Sequence, residues 1–148
     1  MIRGVHHVAL RARDVAAVAR FYVRVLGLRR TSTKRDARGV RAIWLAAGNV
    51  IVMVERRERG EPSLPPRSLE ATLFSIAPEG HSLLRARLAR SGVALESATT
   101  FSLYFRDPEG RRIGASSYPL PAPGVLAVEP SRGPRVPKVA RLAGRRGA

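Results

Sequence analysis

The chain contains no cysteine. That absence excludes disulfides, thiolate metal ligands and cysteine nucleophiles, and it makes the cytoplasm the expected compartment. Aromatic residues are scarce, 5% of the chain with a single tryptophan, so few rings are interleaved with cations in the way that stacks nucleic-acid bases. No apolar run approaches the ~20 residues that a membrane-spanning helix needs. The opening, Met1 to Asp14, alternates polar and apolar residues and lacks the continuous apolar stretch of a secretory signal. Lysine is nearly missing as well: of 27 cations only Lys34 and Lys138 are lysine.

What remains is a chain of 148 residues, 45% hydrophobic, the size and composition of one soluble domain with a core. The net charge of +16 is its strongest compositional signal. A basic surface that releases counterions from phosphates would suit nucleic acid or an acidic protein. The dominance of arginine, together with abundant Ala, Gly, Val and Leu, reads instead as the codon bias of a GC-rich genome. Acids are also interspersed among the bases, which argues against a nucleic-acid partner.

His7, Ala9 and Arg11 alternate with His6, Val8 and Leu10 over Gly4 to Ala12, the period of a half-buried strand. Asp14 can cap the helix that follows, whose apolar stripe is Val18, Phe21, Tyr22, Val25 and Leu26 and whose stop is Gly27. Three strand-like runs come next, Leu28–Thr33, Val40–Ala46 and Val50–Glu55, with turn chemistry between them. After a charged, proline-rich connector the order restarts: strand Glu70–Ile76, helix Ser82–Ser91, then strands Val93–Thr99, Phe101–Arg106 and Arg111–Tyr118. Asp107-Pro108-Glu109-Gly110 makes the last tight turn. The expected fold class is therefore α+β, two βαβββ modules forming a cupped mixed sheet. Module one spans 1–55, the linker 56–68, module two 69–118, and a basic, proline-rich tail 119–148, all one structural domain.

The phrase His7-Val8-Ala9-Leu10, then Arg13-Asp14, Phe21-Tyr22 and Val25-Leu26-Gly27-Leu28, resembles the opening of the vicinal oxygen chelate superfamily. That group includes glyoxalase I, bleomycin-resistance proteins, fosfomycin-resistance enzymes and extradiol dioxygenases. Tyr104 to Gly110 is similar to the family's closing hairpin, and the resemblance covers about residues 1–118. It implies a cup in which metal-dependent members hold a divalent ion with a His on the first strand of each module and a Glu on the last. Carried over, His7 matches the first ligand, while Val52, Ala71 and Gly114 fall at the other three positions and bring no donor. Glu55 is the nearby carboxylate, and by alternation it lies on the face opposite Val52. A metal site from His7 and Glu55 is thus the minority alternative, and no cofactor is expected.

By strand parity the cup would present His7, Arg11, Trp44, Tyr104 and Arg112 to a small organic molecule: two guanidiniums for an anion and aromatic walls for a planar body. His6 and His81 are expected to be structural or exposed. The expected function is metal-independent binding of an anionic or aromatic ligand, for sequestration or sensing, with no residue assigned to catalysis. The first rival is a divergent lyase, epimerase or dioxygenase of the glyoxalase type; the second is a basic scaffold for nucleic acid or an acidic protein. The resemblance also implies a possible homodimer, and no membrane partner is expected.

The tail, residues 119–148, carries six cations, one acid and repeated prolines, a composition that favours disorder or loose draping. Truncation after Tyr118 should move the melting temperature by no more than about 3 °C, the effect of under about 1 kcal/mol in a domain this size. A large drop in a thermal melt would show that the tail packs on the domain.

Overall fold

The computed structural model describes residues 4–65 and 68–120. All its regular elements lie in one unit, Met1–Tyr118. The expectations for the tail fall outside the described residues apart from Pro119 and Leu120. Among the described residues no helix is long and apolar enough to cross a membrane.

Strand β1, His7–Ala12, leads into helix α1, Val15–Phe21. Asp14 caps that helix, its Oδ1 accepting the Ala17 N–H at 2.8 Å. Periodicity alone reads one helix to Leu26, but the chain widens into a π-helical turn over Tyr22–Leu26. Phe21 and Tyr22 are adjacent yet both buried. An α-helix turns successive side chains by about 100°, and the wider turn lets both rings face inward. Gly27 then closes the segment in the left-handed region, at φ 73°.

Strands β2 (Arg29–Asp36), β3 (Gly39–Ala47) and β4 (Val50–Arg56) complete a sheet ordered β1-β4-β3-β2, with β1 and β4 parallel. The second strand runs three residues further than its sequence pattern indicates. Pairing of Lys34 with Ala42 and Arg35 with Val40 extends it, and Asp36 Oδ1 accepts the Arg38 N–H at 2.8 Å to tighten the turn. The second module repeats the plan with β5 (Ala71–Ser75), α2 (Gly80–Arg90), β6 (Leu95–Ala98), β7 (Ser102–Arg106) and β8 (Arg112–Ser116). Its order is β5-β8-β7-β6, again with the outer pair parallel. Two βαβββ modules and an α+β class are therefore what the chain forms.

One apolar cluster serves both modules. Leu10, Ile43, Leu45, Val52 and Val54 face α1, and the same cluster continues into Leu84, Leu88, Leu103, Phe105 and Ile113 of module two. Phe21 lies 6.3 Å from Phe105 and Tyr22 lies 6.1 Å from Phe74, ring to ring. Within this core sits a carboxylate. Asp107 is 4% exposed and accepts from Tyr22 Oη at 3.2 Å, Arg111 Nη1 at 2.8 Å, and the Glu109 and Arg111 N–H groups at 2.9 Å each. Arg111 also donates through Nη2 to the Arg11 carbonyl, and Glu109 Oε1 accepts the Arg13 N–H at 2.9 Å. The last turn of module two is thereby clasped to the end of β1.

Burial pushes the Tyr22 hydroxyl well above its ordinary range, and the adjacent Asp107 charge pushes it the same way, so it stays a neutral donor. Because the folded-state value exceeds the unfolded one near 10, this stabilisation is complete below that pH and declines above it. Replacing Asp107 by Ala should destabilise the fold by about 3–5 kcal/mol in urea denaturation, since it strands the Arg111 charge. Tyr22→Phe should cost only about 1 kcal/mol at neutral pH and should lessen the loss of stability above pH ~10.

Candidate functional site

Strand alternation places one set of side chains against α1 and the other on the open, concave face. On module one that face carries His7, Ala9 and Arg11 from β1, opposite Ile51, Met53 and Glu55 of β4. Two positions on β3 follow the same register: Trp44 pairs with Met53 and Ala42 with Glu55, while β2 adds Ser32 and Lys34. Val52 is not on this face. It is 1% exposed and packs in the core, so the residue standing at the carboxylate position of module one is Met53. The same register corrects the placement of Glu55, which shares the face of His7. The two are four residues apart in register, about 13 Å at strand rise, too far to hold one ion.

On module two the corresponding face presents Ala71 and Leu73 from β5, Arg112 and Gly114 from β8, and Ser102 and Tyr104 from β7. At Gly114 the backbone itself has closed in: a Cβ built there would lie 2.4 Å from the Leu103 carbonyl oxygen. No side chain, glutamate included, fits that position unless β7 moves. Among the described residues no group of three or more His, Asp or Glu side chains gathers. A divalent ion with fewer than three protein ligands is not held even at catalytic sites. The donor set present, His7 with Met53, Ala71 and Gly114, does not fit the metal of the wider fold family.

The five side chains marked by the sequence fall into two groups. His7, Arg11 and Trp44 share the module-one face, and Tyr104 and Arg112 share the module-two face. Neither guanidinium is free. Arg11 lies 3.4 Å from Glu55 and 3.6 Å from Glu61, and Arg112 stands 3.6 Å from Glu96 and 4.2 Å over the Tyr104 ring. His7 is exposed, with its Nδ1 2.9 Å from that of His6, which is exposed as well. His81 bonds Ser117 Oγ at 3.0 Å, a structural contact.

Besides the buried Nε–H groups of Arg56 and Arg112, Trp44 has an unfilled requirement. Its indole N–H is buried and has no acceptor, although most buried donors are satisfied. Lys34 sits 5.3 Å over its ring. A cleft of about 370 Å³ runs beside it, lined by Lys34, Arg41, Trp44, Met53 and Glu55. Among the described residues neither Lys34 nor Arg41 forms an ion pair. Sequence reasoning missed Lys34 because it ended β2 at Thr33; extending the strand's alternation by one more residue would have found it. A second cleft, about 340 Å³, lies between the outer strands β1 and β5, with Ala9, Ala71, Tyr22, Phe74 and Arg112 on its walls.

A family model described as the Glyoxalase/Bleomycin resistance protein/Dioxygenase superfamily matches residues 4–114. Among solved structures, the fosfomycin resistance protein FosX from Mesorhizobium loti superposes with a TM-score of 0.69 at 19% identity, covering 81% of this chain and 95% of that one. FosX from Listeria monocytogenes, complexed with Mn(II) and sulfate, gives 0.69 at 18% identity, with 81% and 96% coverage. A glyoxylase/bleomycin resistance protein/dioxygenase domain from Frankia sp. EAN1pec gives 0.65 at 22%, with 78% and 92% coverage. At such identities these likenesses show the fold alone. None of the curated proteins matches.

The closed backbone at Gly114 makes a direct prediction. Gly114→Glu should destabilise the fold by about 1–3 kcal/mol through overpacking and should bind no Mn(II) in a calorimetric titration. An equally stable variant that takes up Mn(II) would show a metal site lacking only that ligand.

Proposed function

Because this chain belongs to the glyoxalase/bleomycin resistance protein/dioxygenase superfamily but lacks donors where a metal would be held, we propose that it binds a small organic molecule without a metal. The ligand is aromatic or anionic, and the role is sequestration or sensing in the cytoplasm. The observation that carries this reading is the unpartnered indole N–H of Trp44 beside an open cleft. A planar body would lie against Trp44 and Met53, an acceptor atom would take the indole proton, and Lys34 and Arg41 would face the negative charge. Arg11 and Arg112 contribute less than their charge promises, since carboxylates already hold them.

Ala9 on one concave face, and Ala71 and Leu73 on the other, are exposed in the single chain. Covering such faces with a second copy would close the cup, so a homodimer is part of the proposal. The rival reading is a metal-dependent enzyme. It draws on the Mn(II) of the Listeria FosX complex and on His7, and it would need ligands that Met53, Ala71 and Gly114 do not supply.

Protein purified without an affinity tag should hold far less than one divalent ion per chain by elemental analysis. In the presence of EDTA, naphthoate should quench Trp44 fluorescence, and Lys34→Ala should weaken that binding by about three- to tenfold. Stoichiometric Zn, Ni, Mn or Fe, lost on His7→Ala, would overturn the metal-free reading.

A further inference from the structure

The convex side of the first sheet carries a second feature, on the face opposite Trp44. Helix α1 packs on β3, β4 and β1 but hardly on the edge strand β2, and an open groove of about 880 Å³ runs between the helix and that edge. Its floor is Ala16, Ala17 and Val23 from the helix side and Val40 from β3, backed by the buried Phe21, Ile43 and Leu45. Both walls are cationic. Arg20 and Arg24, four residues apart, stand on one wall. Arg30 and Arg35 stand on the other, paired in register with Leu45 and Val40.

All four arginines are exposed. Among the described residues none of them has a carboxylate partner, whereas seven other arginines do: Arg11, Arg13, Arg38 and Arg56 in the first half, and Arg106, Arg111 and Arg112 in the second. Arg30 donates from Nε to Thr33 Oγ1 at 2.8 Å, a neutral contact. Other described arginines, Arg29 and Arg85 among them, are unpaired too, and what sets the groove apart is that four such cations flank one apolar floor.

We infer that this groove binds a free anionic amphiphile of the fatty-acid class, with its hydrocarbon chain on the floor and its head group between the two arginine walls. The volume lies within the usual range for small-molecule sites, about 300–1,000 Å³. The floor offers no hydrogen-bonding side chain, so a polar body there would leave its groups unsatisfied, while an alkyl chain loses nothing. Guanidinium forks suit carboxylate or phosphate head groups. A second copy seated on this same face about a two-fold axis would set the four arginines against their own counterparts.

The test is calorimetric titration of the full chain with sodium dodecanoate, kept below its micelle threshold and at about 150 mM salt so that general field effects are screened. Acetate, dodecanol and dodecyltrimethylammonium serve as controls, and phosphatidylglycerol vesicles test a membrane source. One saturable dodecanoate site is expected, weakened about tenfold or more in R20A/R30A, which alters one exposed arginine on each wall and none beside Trp44. Dodecanol should bind more weakly, and acetate and the cationic amphiphile should not bind measurably. Arg85→Ala, which removes an exposed arginine of α2 outside the groove, should leave the titration unchanged. No dodecanoate site, a site indifferent to R20A/R30A, equal binding of acetate or of the cationic amphiphile, or retention on vesicles alone would each overturn the inference.

Discussion

The Asp107 carboxylate is the contact on which the arrangement of the two modules depends. A charge this deeply buried is tolerated only when paired and hydrogen-bonded, and four donors converge on it. Three of them come from its own turn. The fourth is the Tyr22 hydroxyl, carried in by the π-helical turn of module one. Arg111 then uses its remaining nitrogen to grip the backbone of β1. The register of each sheet follows from its own pairing, but how module two meets module one is fixed by this shared anion and by the aromatic contacts around it.

From that arrangement come two faces of one sheet with opposite chemistry. The concave face holds apolar and aromatic side chains, the paired cations Arg11 and Arg112 and the unpaired Lys34 and Arg41, and in the second sheet Gly114 has let β7 close over the place where a metal-binding carboxylate would stand. The convex face holds uncompensated arginines around an aliphatic floor. The net charge of +16 is therefore not spread evenly: part of it is neutralised by local carboxylates, and part is concentrated where nothing opposes it.

Much of the fold was legible because local chemistry dictated it. Asp14 capped its helix, Gly27 ended the turn that follows, and the repeat of strand, helix and three strands was visible in the spacing of apolar residues. The site was less legible for three physical reasons. Val50 to Val54 is a continuous apolar run, so alternation could not say whether Val52 or Met53 faces the cup; only pairing with β1 decides it. The partners that neutralise Arg11 and Arg112 lie on other strands or in the linker, beyond any local pattern. Asp107 read as a turn residue because its burial depends on a tyrosine 85 positions away.

The central claim, that the concave face takes an organic ligand without a metal, is tested most directly at the Trp44 indole. As the only tryptophan, it gives a single indole resonance in a proton–nitrogen correlation spectrum. With EDTA present throughout, an aromatic carboxylate should shift that resonance downfield as the unpartnered N–H gains an acceptor. A resonance that stays fixed with every such ligand until a divalent ion is supplied would contradict the account.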